Sequence, residues 1–355
     1  MFKSIIQTHF LIFTFESKTK LIIKTMKKIF CYLFSLVIFS ACNDDKLLDV
    51  VPDQKVEVQF KRFDHALFEQ NVDQIESNLD SLAKIFPVFI SGDYKNEHRV
   101  QGLVVYILNP LNQKLYLKSV KTHVNFEKTK QNISSCLNYY KHYFPKKITP
   151  VVYTYISGLN YEEPIIIQDS FALIGLDMFL GQTYEEYHTQ NIPIPLFVSK
   201  KYDQKYLSTE LMRNIATHQF GTELHGETLL EQMISLGKIE YFVHATSPAS
   251  HDSIRFAFSP AQMDWCIERE WALWQHLTSK QLLFSKDYHE YKKYIEDQPF
   301  VSSLERESPG RAGVWIGFRI VSQYMNNNPE ITLNELLTSV PAMEVFQGSK
   351  YKPKN

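Results

Sequence analysis

Histidine and glutamate side chains gather in one short stretch of the sequence, between residues 218 and 231. The stretch contains His218, Glu223, His225 and Glu227, with Glu231 nearby. Zinc hydrolases bind their metal with two histidines one helical turn apart and use a glutamate between them as the general base. Residues of these types could therefore bind zinc, and zinc would activate a water molecule for hydrolysis.

The spacing of the two histidines does not fit that arrangement on a helix. His218 and His225 are seven residues apart, which on a continuous helix separates them by about 10 Å of rise. Two bonds of about 2.1 Å to one zinc ion cannot bridge that distance. Gly221 and Gly226 would interrupt a helix, so a loop could still bring the histidines together. His218 and His225 are thus weak candidates for metal ligands, and a solvated loop of ordinary polar residues is the alternative.

Other catalytic motifs are missing from the sequence. It has no GxSxG, P-loop, GxGxxG or CxxC motif. His65, His244 and Asp177 each stand without a partner at a spacing known for catalysis, so each is expected to be structural. We therefore expect no catalytic residue and no cofactor.

A short segment near the start has the pattern of a bacterial lipoprotein signal. Lys27-Lys28 precede an apolar run from Ile29 to Phe39, and Ser40-Ala41 stand before Cys42. The run is too short for a membrane span, which needs about 20 apolar residues, but it has the length of a signal-peptide core. Cleavage before Cys42 would make this cysteine the lipidated N-terminus, held to a membrane by acyl chains such as palmitate. An ordinary secretory signal followed by a chance cysteine is the alternative.

The signal does not begin at residue 1, because Met26 stands directly before Lys27-Lys28, where a start codon is expected. Residues 1–25 are therefore predicted to be untranslated, residues 26–41 to be the signal peptide and residues 42–59 to be an acylated tether. Residues 60–355 are predicted to form a single domain, for which the mature chain of 314 residues is long enough.

The charge balance argues against nucleic-acid binding. The full sequence has a net charge of −1, and residues 1–41 contain six lysines and one glutamate. The mature chain therefore has 32 basic and 38 acidic residues and a net charge of about −6, whereas nucleic-acid binding needs clustered cations. Cys136 and Cys266 form a single distant pair, for which two buried free thiols are the simpler interpretation and a disulfide is the alternative.

Apolar periodicity predicts a mostly helical chain with a few strands in its middle. Helices are predicted over residues 60–68, 72–86, 133–144, 210–217 and 228–242, and from the start signals Ser259, Ser308 and Thr332. Residues 151–156, 165–167 and 171–176 are rich in β-branched and aromatic side chains and predict strands. The expected fold class is α+β, mostly helical, with a small sheet of about three or more strands packed by helices.

Two of the predicted helices carry a distinctive pattern. The helix that Ser259 opens, with Pro260 at its first position and Gln262 for a capping box, places apolar residues on one broad face. These are Met263, Cys266, Ile267, Trp271, Trp274 and Leu277, and we expect them to be core residues. The helix after Ser308 contains three glycines, at 310, 313 and 317. Because glycine costs a helix about 1 kcal/mol relative to alanine, these glycines indicate the close approach of another backbone.

Several segments of the chain, taken in order, resemble the gliding-motility lipoprotein GldB family. They are Phe171–Gly181, Leu229–Ile234 with Gly237 and Lys238, Ser259–Cys266 with Glu270 and Trp274, Glu307–Gly317, and Ser349–Pro353. The resemblance extends over the mature chain from Cys42 to its C-terminus.

The resemblance implies a scaffold similar to that of predicted zinc-dependent peptidases, in which a strand and two helices frame the metal. Those peptidases need an HExxH helix and a glutamate on the next helix. No such pair occurs around His218-Gln219-Phe220, and Leu236 stands before Gly237, where a peptidase would supply the glutamate. The resemblance therefore implies a peptidase-like protein that is not an enzyme.

The expected function is that of a membrane-anchored envelope lipoprotein required for gliding motility, as a non-enzymatic component of the motility and secretion machinery. Its expected partners are the membrane and other envelope proteins of that machinery, and its expected location is the outer membrane, facing the periplasm. Two other functions stay open: a zinc-dependent peptidase that uses His218 and His225, and a peptide- or glycan-binding module that uses the vestigial cleft.

Overall fold

Helices make up most of the structure, a computed structural model that describes residues 50–52, 55–189, 193–222, 224 and 226–354. The predicted signal and Cys42 lie outside the described residues. The four strands are β1 (Phe60–Arg62), β2 (Val151–Tyr155), β3 (Ile165–Ile167) and β4 (Phe171–Gly175). The α+β fold class, with a small sheet packed by helices, is confirmed.

The helices fall into two series along the chain, one on each side of the strands. The first series is α1 (Phe63–Phe68), α2 (Ile75–Ile85), α3 (Glu97–Leu108), α4 (Pro110–Thr122) and α5 (Phe126–Tyr143). The second series is α6 (Glu186–Thr189), α7 (Leu196–Ser199), α8 (Leu207–Phe220), α9 (Leu229–Thr246), α10 (Asp252–Arg255), α11 (Pro260–Glu268), α12 (Glu270–Ser279), α13 (Tyr288–Ile295), α14 (Ala312–Asn327), α15 (Leu333–Thr338) and α16 (Ala342–Ser349). Short 3₁₀ turns cover Val72–Gln74, Leu176–Met178, Gln204–Tyr206 and Leu282–Phe284.

The sheet has the strand order β1-β2-β4-β3. The pairs β1–β2 and β2–β4 are parallel, whereas β3 runs antiparallel to β4. Successive side chains of a strand point to opposite faces, and Val152 packs into the core formed with the later helices, while Tyr153 packs against α1 and α2. The sheet therefore has apolar side chains packed on both faces.

The three predicted strands are confirmed, but the first three residues of the first predicted helix form a strand. Phe60, Phe63 and Leu67 have helical spacing, yet Phe60–Arg62 form a strand that pairs with Val152, Tyr153 and Thr154. Pairing with a strand about 90 residues further along overrides the local pattern. The helix itself begins at Phe63.

The helix that begins after Ser259 is shorter than predicted. The capping box of Ser259 and Gln262 is present, but the helix ends at Glu268 and a second helix begins at Glu270. The break turns two of the predicted core residues outward, since Ile267 is 60% exposed and Trp271 is 37% exposed. Cys266 and Leu277 are buried as predicted, and Cys136 and Cys266 are both free thiols.

Two further boundaries differ from the predictions. α14 begins at Ala312 and not next to Ser308, because Arg311 takes a left-handed conformation with φ of 63° before the helix starts. The helix predicted from Thr332 is present and begins with a capping box, and a further helix that was not predicted, α16, follows it.

The glycines of α14 allow it to pack directly on α9. A Cβ atom added to Gly317 would lie 1.7 Å from the carbonyl oxygen of Met233, and one added to Gly237 would lie 2.3 Å from the carbonyl carbon of Gly317. A Cβ added to Gly313 would lie 2.9 Å from the carbonyl oxygen of Tyr294. The predicted close approach of another backbone is confirmed, and α9 is one of the elements that make it.

We expect Gly317→Ala to lower the free energy of unfolding by about 3 kcal/mol, because the added methyl group cannot fit without separating α9 from α14. Gly102→Ala is the matched control, since Gly102 lies in α3 with no atom within 4 Å of an added Cβ. The control should gain about 0.5–1 kcal/mol from its better helix propensity. Urea unfolding followed by tryptophan fluorescence measures both, and equal stability of the two variants would contradict the proposed contact.

Candidate functional site

The predicted histidine and glutamate cluster does not converge in the part that the structure describes. His218 lies near the end of α8 with its side chain 36% exposed and its Nε2 atom 3.7 Å from the carboxylate of Asp169. His225 and Glu223 lie outside the described residues. Among the described residues, no group of three or more histidine, cysteine, aspartate or glutamate side chains is placed to hold a metal ion. The assignment of His218 and His225 as weak candidates stays a prediction.

The remaining acids of that cluster have structural partners. Glu231 caps the start of α9, where its carboxylate accepts hydrogen bonds from the backbone N–H groups of Glu227 and Thr228 at 3.0 Å. Glu227 pairs with Lys286 on the surface. Both contacts stabilise local structure and leave no carboxylate of this pair directed at a common point.

Asp177, which was expected to be structural, is fully buried, and its carboxylate stabilises the local backbone. Its carboxylate accepts hydrogen bonds from the backbone N–H of Ser157 at 2.6 Å, from the Ser157 hydroxyl at 2.9 Å and from the N–H of Leu159 at 2.8 Å. These bonds fix a turn in which Gly158 and Leu159 both have positive φ. The carboxylate thus satisfies backbone donors that burial would otherwise leave unpaired.

A buried ion pair joins α8 to α9, and it was not predicted from the sequence. The Arg213 guanidinium on α8 donates from Nε to Glu240 Oε1 at 3.0 Å and from Nη2 to Oε2 at 2.8 Å. The side chain of Arg213 is 13% exposed and that of Glu240 is 1% exposed. The same guanidinium also donates to the carboxylate of Glu210 and to the backbone carbonyl of Arg255. This two-point geometry is the strong form of the arginine–carboxylate pair.

The pair continues into a chain of alternating charges. Arg311, just before α14, donates from Nη2 to Glu240 Oε1 at 2.7 Å and has its Nε 4.0 Å from Asp297. Asp297 in turn accepts a hydrogen bond from Lys201 at 3.0 Å. We call Glu210, Arg213, Glu240, Arg311, Asp297 and Lys201 the charge network. It connects α7, α8, α9 and α14 through three cations and three carboxylates.

The cations of the network favour the ionised forms of two of its carboxylates, Glu240 and Asp297, whose pKa values are both lowered. Burial alone would raise the pKa of the Glu240 carboxyl, but the charges of Arg213 and Arg311 outweigh burial and lower it. Burial likewise opposes ionisation of Asp297, yet Arg311 and Lys201 lower its pKa to about 2. Because the folded-state pKa of Asp297 lies below its ordinary value of 3.8, its ion pairs stabilise the fold above that pH and are lost as the pH falls towards 2.

Three residues of α8 have the spacing of the zinc-binding motif HExxH. Thr209 and Arg213 stand at the two histidine positions and Glu210 stands at the glutamate position. The next helix supplies Glu240 as a facing carboxylate. Thr209 is buried and its hydroxyl donates to the carbonyl oxygen of Tyr206 at 2.9 Å. The guanidinium of Arg213 therefore lies between the carboxylates of Glu210 and Glu240.

Comparison with known families decides which group the chain belongs to. The family model of gliding motility protein GldB matches residues 44–353. The chain belongs to the GldB family. The resemblance of the sequence segments to this family is thereby confirmed, and the charge network is a structural feature of a GldB family member. No curated protein and no solved structure matches the chain.

Nothing in the described part of this GldB family member has the build of a membrane span, since none of its helices is both long and apolar enough.

We expect Arg213→Met to lower the free energy of unfolding by about 3 kcal/mol, because it leaves the buried Glu240 with Arg311 as its remaining cation. Arg319→Met is the matched control, since Arg319 pairs with Glu270 at 3.0 Å while 47% exposed. The control should lose about 1 kcal/mol or less. Urea unfolding at pH 7 compares the two, and an equal loss in both variants would show that burial does not set the strength of the network.

Proposed function

We propose that the protein is a non-enzymatic component of the gliding motility machinery, held to an envelope membrane by acyl chains on Cys42. Membership of the GldB family carries the motility part of this proposal. The lipid anchor is supported by the basic residues, short apolar run and small residues that precede Cys42. The outer membrane, with the folded part facing the periplasm, is the location we propose.

The charge network supports the non-enzymatic part of the proposal. A metal site between α8 and α9 would need Glu210 and Glu240 to be free to face a cation, and both already bind Arg213. A guanidinium is always charged and supplies no bound water that could attack a substrate. The network thus holds two helices together in a place where a metallohydrolase would hold its catalyst.

A protein of this kind works through its surface, and its partners are other envelope proteins of the motility and secretion machinery. The described chain presents large apolar side chains to solvent, among them Val105, Leu117 and Phe284. Single exposed apolar residues are ordinary on a protein surface, so they do not by themselves identify a contact. The experiments below therefore test the anchor and the chemistry separately.

We expect Cys42→Ser to move the protein from the membrane fraction to the soluble fraction and to abolish gliding in a deletion strain of the source bacterium. Loss of the acyl chains removes the anchoring energy of about 0.8 kcal/mol per buried methylene group. Cys136→Ser is the control, since Cys136 is a buried thiol 3.3 Å from the Ser247 hydroxyl and serine preserves that contact. If Cys42→Ser still sediments with membranes, protein contacts must supply the anchor.

We expect Glu210→Gln to support gliding at the wild-type rate when its abundance matches that of the wild type. Glu210 stands where the general base stands in an HExxH motif. Glutamine at this position cannot act as a base, but its side-chain oxygen still accepts a hydrogen bond from Arg213. Elemental analysis of the purified protein should find no stoichiometric zinc. Loss of gliding in this variant at normal abundance would instead indicate catalysis. One zinc per chain that disappears in His218→Ala or His225→Ala would favour the metallohydrolase.

A further inference from the structure

A groove of about 710 Å³ lies beside the charge network. Its walls come from α7, the 3₁₀ turn Gln204–Tyr206, α10, the start of α11 and residues 299–307. The groove reaches the network at two points: Lys200 adjoins Lys201, and Ile254 adjoins Arg255, whose carbonyl oxygen accepts a hydrogen bond from Arg213. Its volume is within the range of about 300–1,000 Å³ that is typical of ligand sites.

Lys200 is a cation without an ion-pair partner among the described residues. Its ammonium group lies 5.5 Å from the ring centroid of Phe258, which is buried. No described carboxylate lies within 4 Å of it, in contrast to its neighbour Lys201, which pairs with Asp297. Partial burial lowers the pKa of the Lys200 ammonium group. A ring face compensates such a cation by only about 0.5–2 kcal/mol, so an added anion would stabilise it further.

The nearby carboxylates are already engaged by other groups. Asp297 binds Lys201, and Glu240 and Glu210 bind Arg213. Asp203, which lines the groove, accepts a hydrogen bond from the backbone N–H of Lys205 at 3.1 Å. An anion that pairs with Lys200 must therefore come from outside this set.

The charge of the groove favours an acidic ligand. Lys200, Lys205 and Arg306 line it with two acids, Asp203 and Glu307, while the chain as a whole has a net charge of −1. A locally positive groove on an acidic protein attracts negative groups.

The apolar part of the lining favours a peptide over a small inorganic anion. Leu196 is 60% exposed, and the half-buried Phe197 and Ile254 extend an apolar surface beside Lys200. Phosphate has no group that would contact this surface. A peptide with an acidic residue between apolar residues would fill both parts of the groove.

We propose that this groove binds an acidic peptide segment of a partner protein, with a carboxylate on Lys200 and apolar side chains against Leu196, Phe197 and Ile254. The inference deepens the proposed function, on which it rests for the identity of the partner as an envelope protein. The binding itself is chemistry of the groove and can be measured without motility.

Selection of random dodecapeptides displayed on phage, with the purified full chain as bait, tests the proposal. We expect enriched peptides to carry aspartate or glutamate between apolar residues. A synthetic fluorescent copy of the most enriched peptide should bind the wild type, and Lys200→Gln should weaken binding about tenfold or more. Failure to enrich peptides, or enrichment of peptides without acidic residues, would overturn the proposal.

Lys118→Gln is the matched control, because Lys118 also stands over a ring, 5.8 Å from Tyr184, but does not line the groove. Replacing the acidic residue of the peptide by its amide should lower the affinity of the wild type for the peptide about tenfold. The same replacement should change the affinity of Lys200→Gln little, since both changes remove the same contact. Equal effects of Lys200→Gln and Lys118→Gln would contradict the assignment. Thermal melting should show that both variants keep the wild-type fold.

Two further measurements separate other occupants and the role in motility. Vesicles of phosphatidylglycerol should not bind in a Lys200-dependent way, and if they did while the peptide did not, a lipid headgroup would replace the peptide as occupant. A strain that carries Lys200→Gln is then tested for gliding. Normal gliding of this strain, with peptide binding lost, would overturn the link between the groove and motility but not the assignment of the groove. Failure of the wild type to bind peptide would overturn the groove assignment and leave the motility function untouched.

Discussion

The direct contact of α9 with α14 places the charged side chains of this protein. Gly237 and Gly317 have no side chains, so the two helices approach until one backbone touches the other. Glu240 follows Gly237 by three residues on α9, and Arg311 stands immediately before α14. The close approach brings that guanidinium to 2.7 Å from the Glu240 carboxylate. A larger residue at either glycine would separate the helices and lengthen this hydrogen bond, so packing and electrostatics depend on the same contact.

The chemistry that is possible between α8 and α9 depends on which cation lies there. A metal ion there would need ligands with free lone pairs and would carry an open position for water. Arg213 instead donates hydrogen bonds to both carboxylate oxygens of Glu240, and its guanidinium remains protonated at every physiological pH. Removing two charges from water is costly, and the cost is offset here because the Glu240 carboxylate accepts three hydrogen bonds, two from Arg213 and one from Arg311. The result is a charge-assisted connection between α8 and α9.

The sequence predicted the elements whose signal is local. The run Val151–Tyr155 consists of β-branched and aromatic residues, the run Phe171–Gly175 is mostly apolar, and both are strands. The capping residues Ser259 and Thr332 begin helices where their side chains predicted them. The strand Phe60–Arg62 could not be found in this way, because three residues carry too little periodicity and its pairing partner lies about 90 residues away.

The site was missed for a related reason. Histidines draw attention by their type, so the stretch around His218 was favoured, although its spacing was wrong for a helix. Arg213 and Glu240 are residues of ordinary surface types, 27 positions apart on two helices. Nothing local shows that both face inward. The one available signal was the set Thr209, Glu210 and Arg213 at HExxH spacing, which becomes informative only once Glu240 is known to lie on the facing helix.

Lys200 and Lys201 are neighbours in the chain, but only Lys201 has an ion-pair partner in the charge network. Lys201 joins the network through Asp297, whose other neighbour is Arg311. For Asp297 to pair with Lys200 instead, it would have to give up Lys201, and Glu240 and Glu210 would have to release a guanidinium that binds them at several points. Each such exchange breaks a charge-assisted hydrogen bond to form another and gains nothing. The charge network thus supplies no ion-pair partner for Lys200, and an anion from another molecule can bind Lys200 without disturbing the pairs of the network.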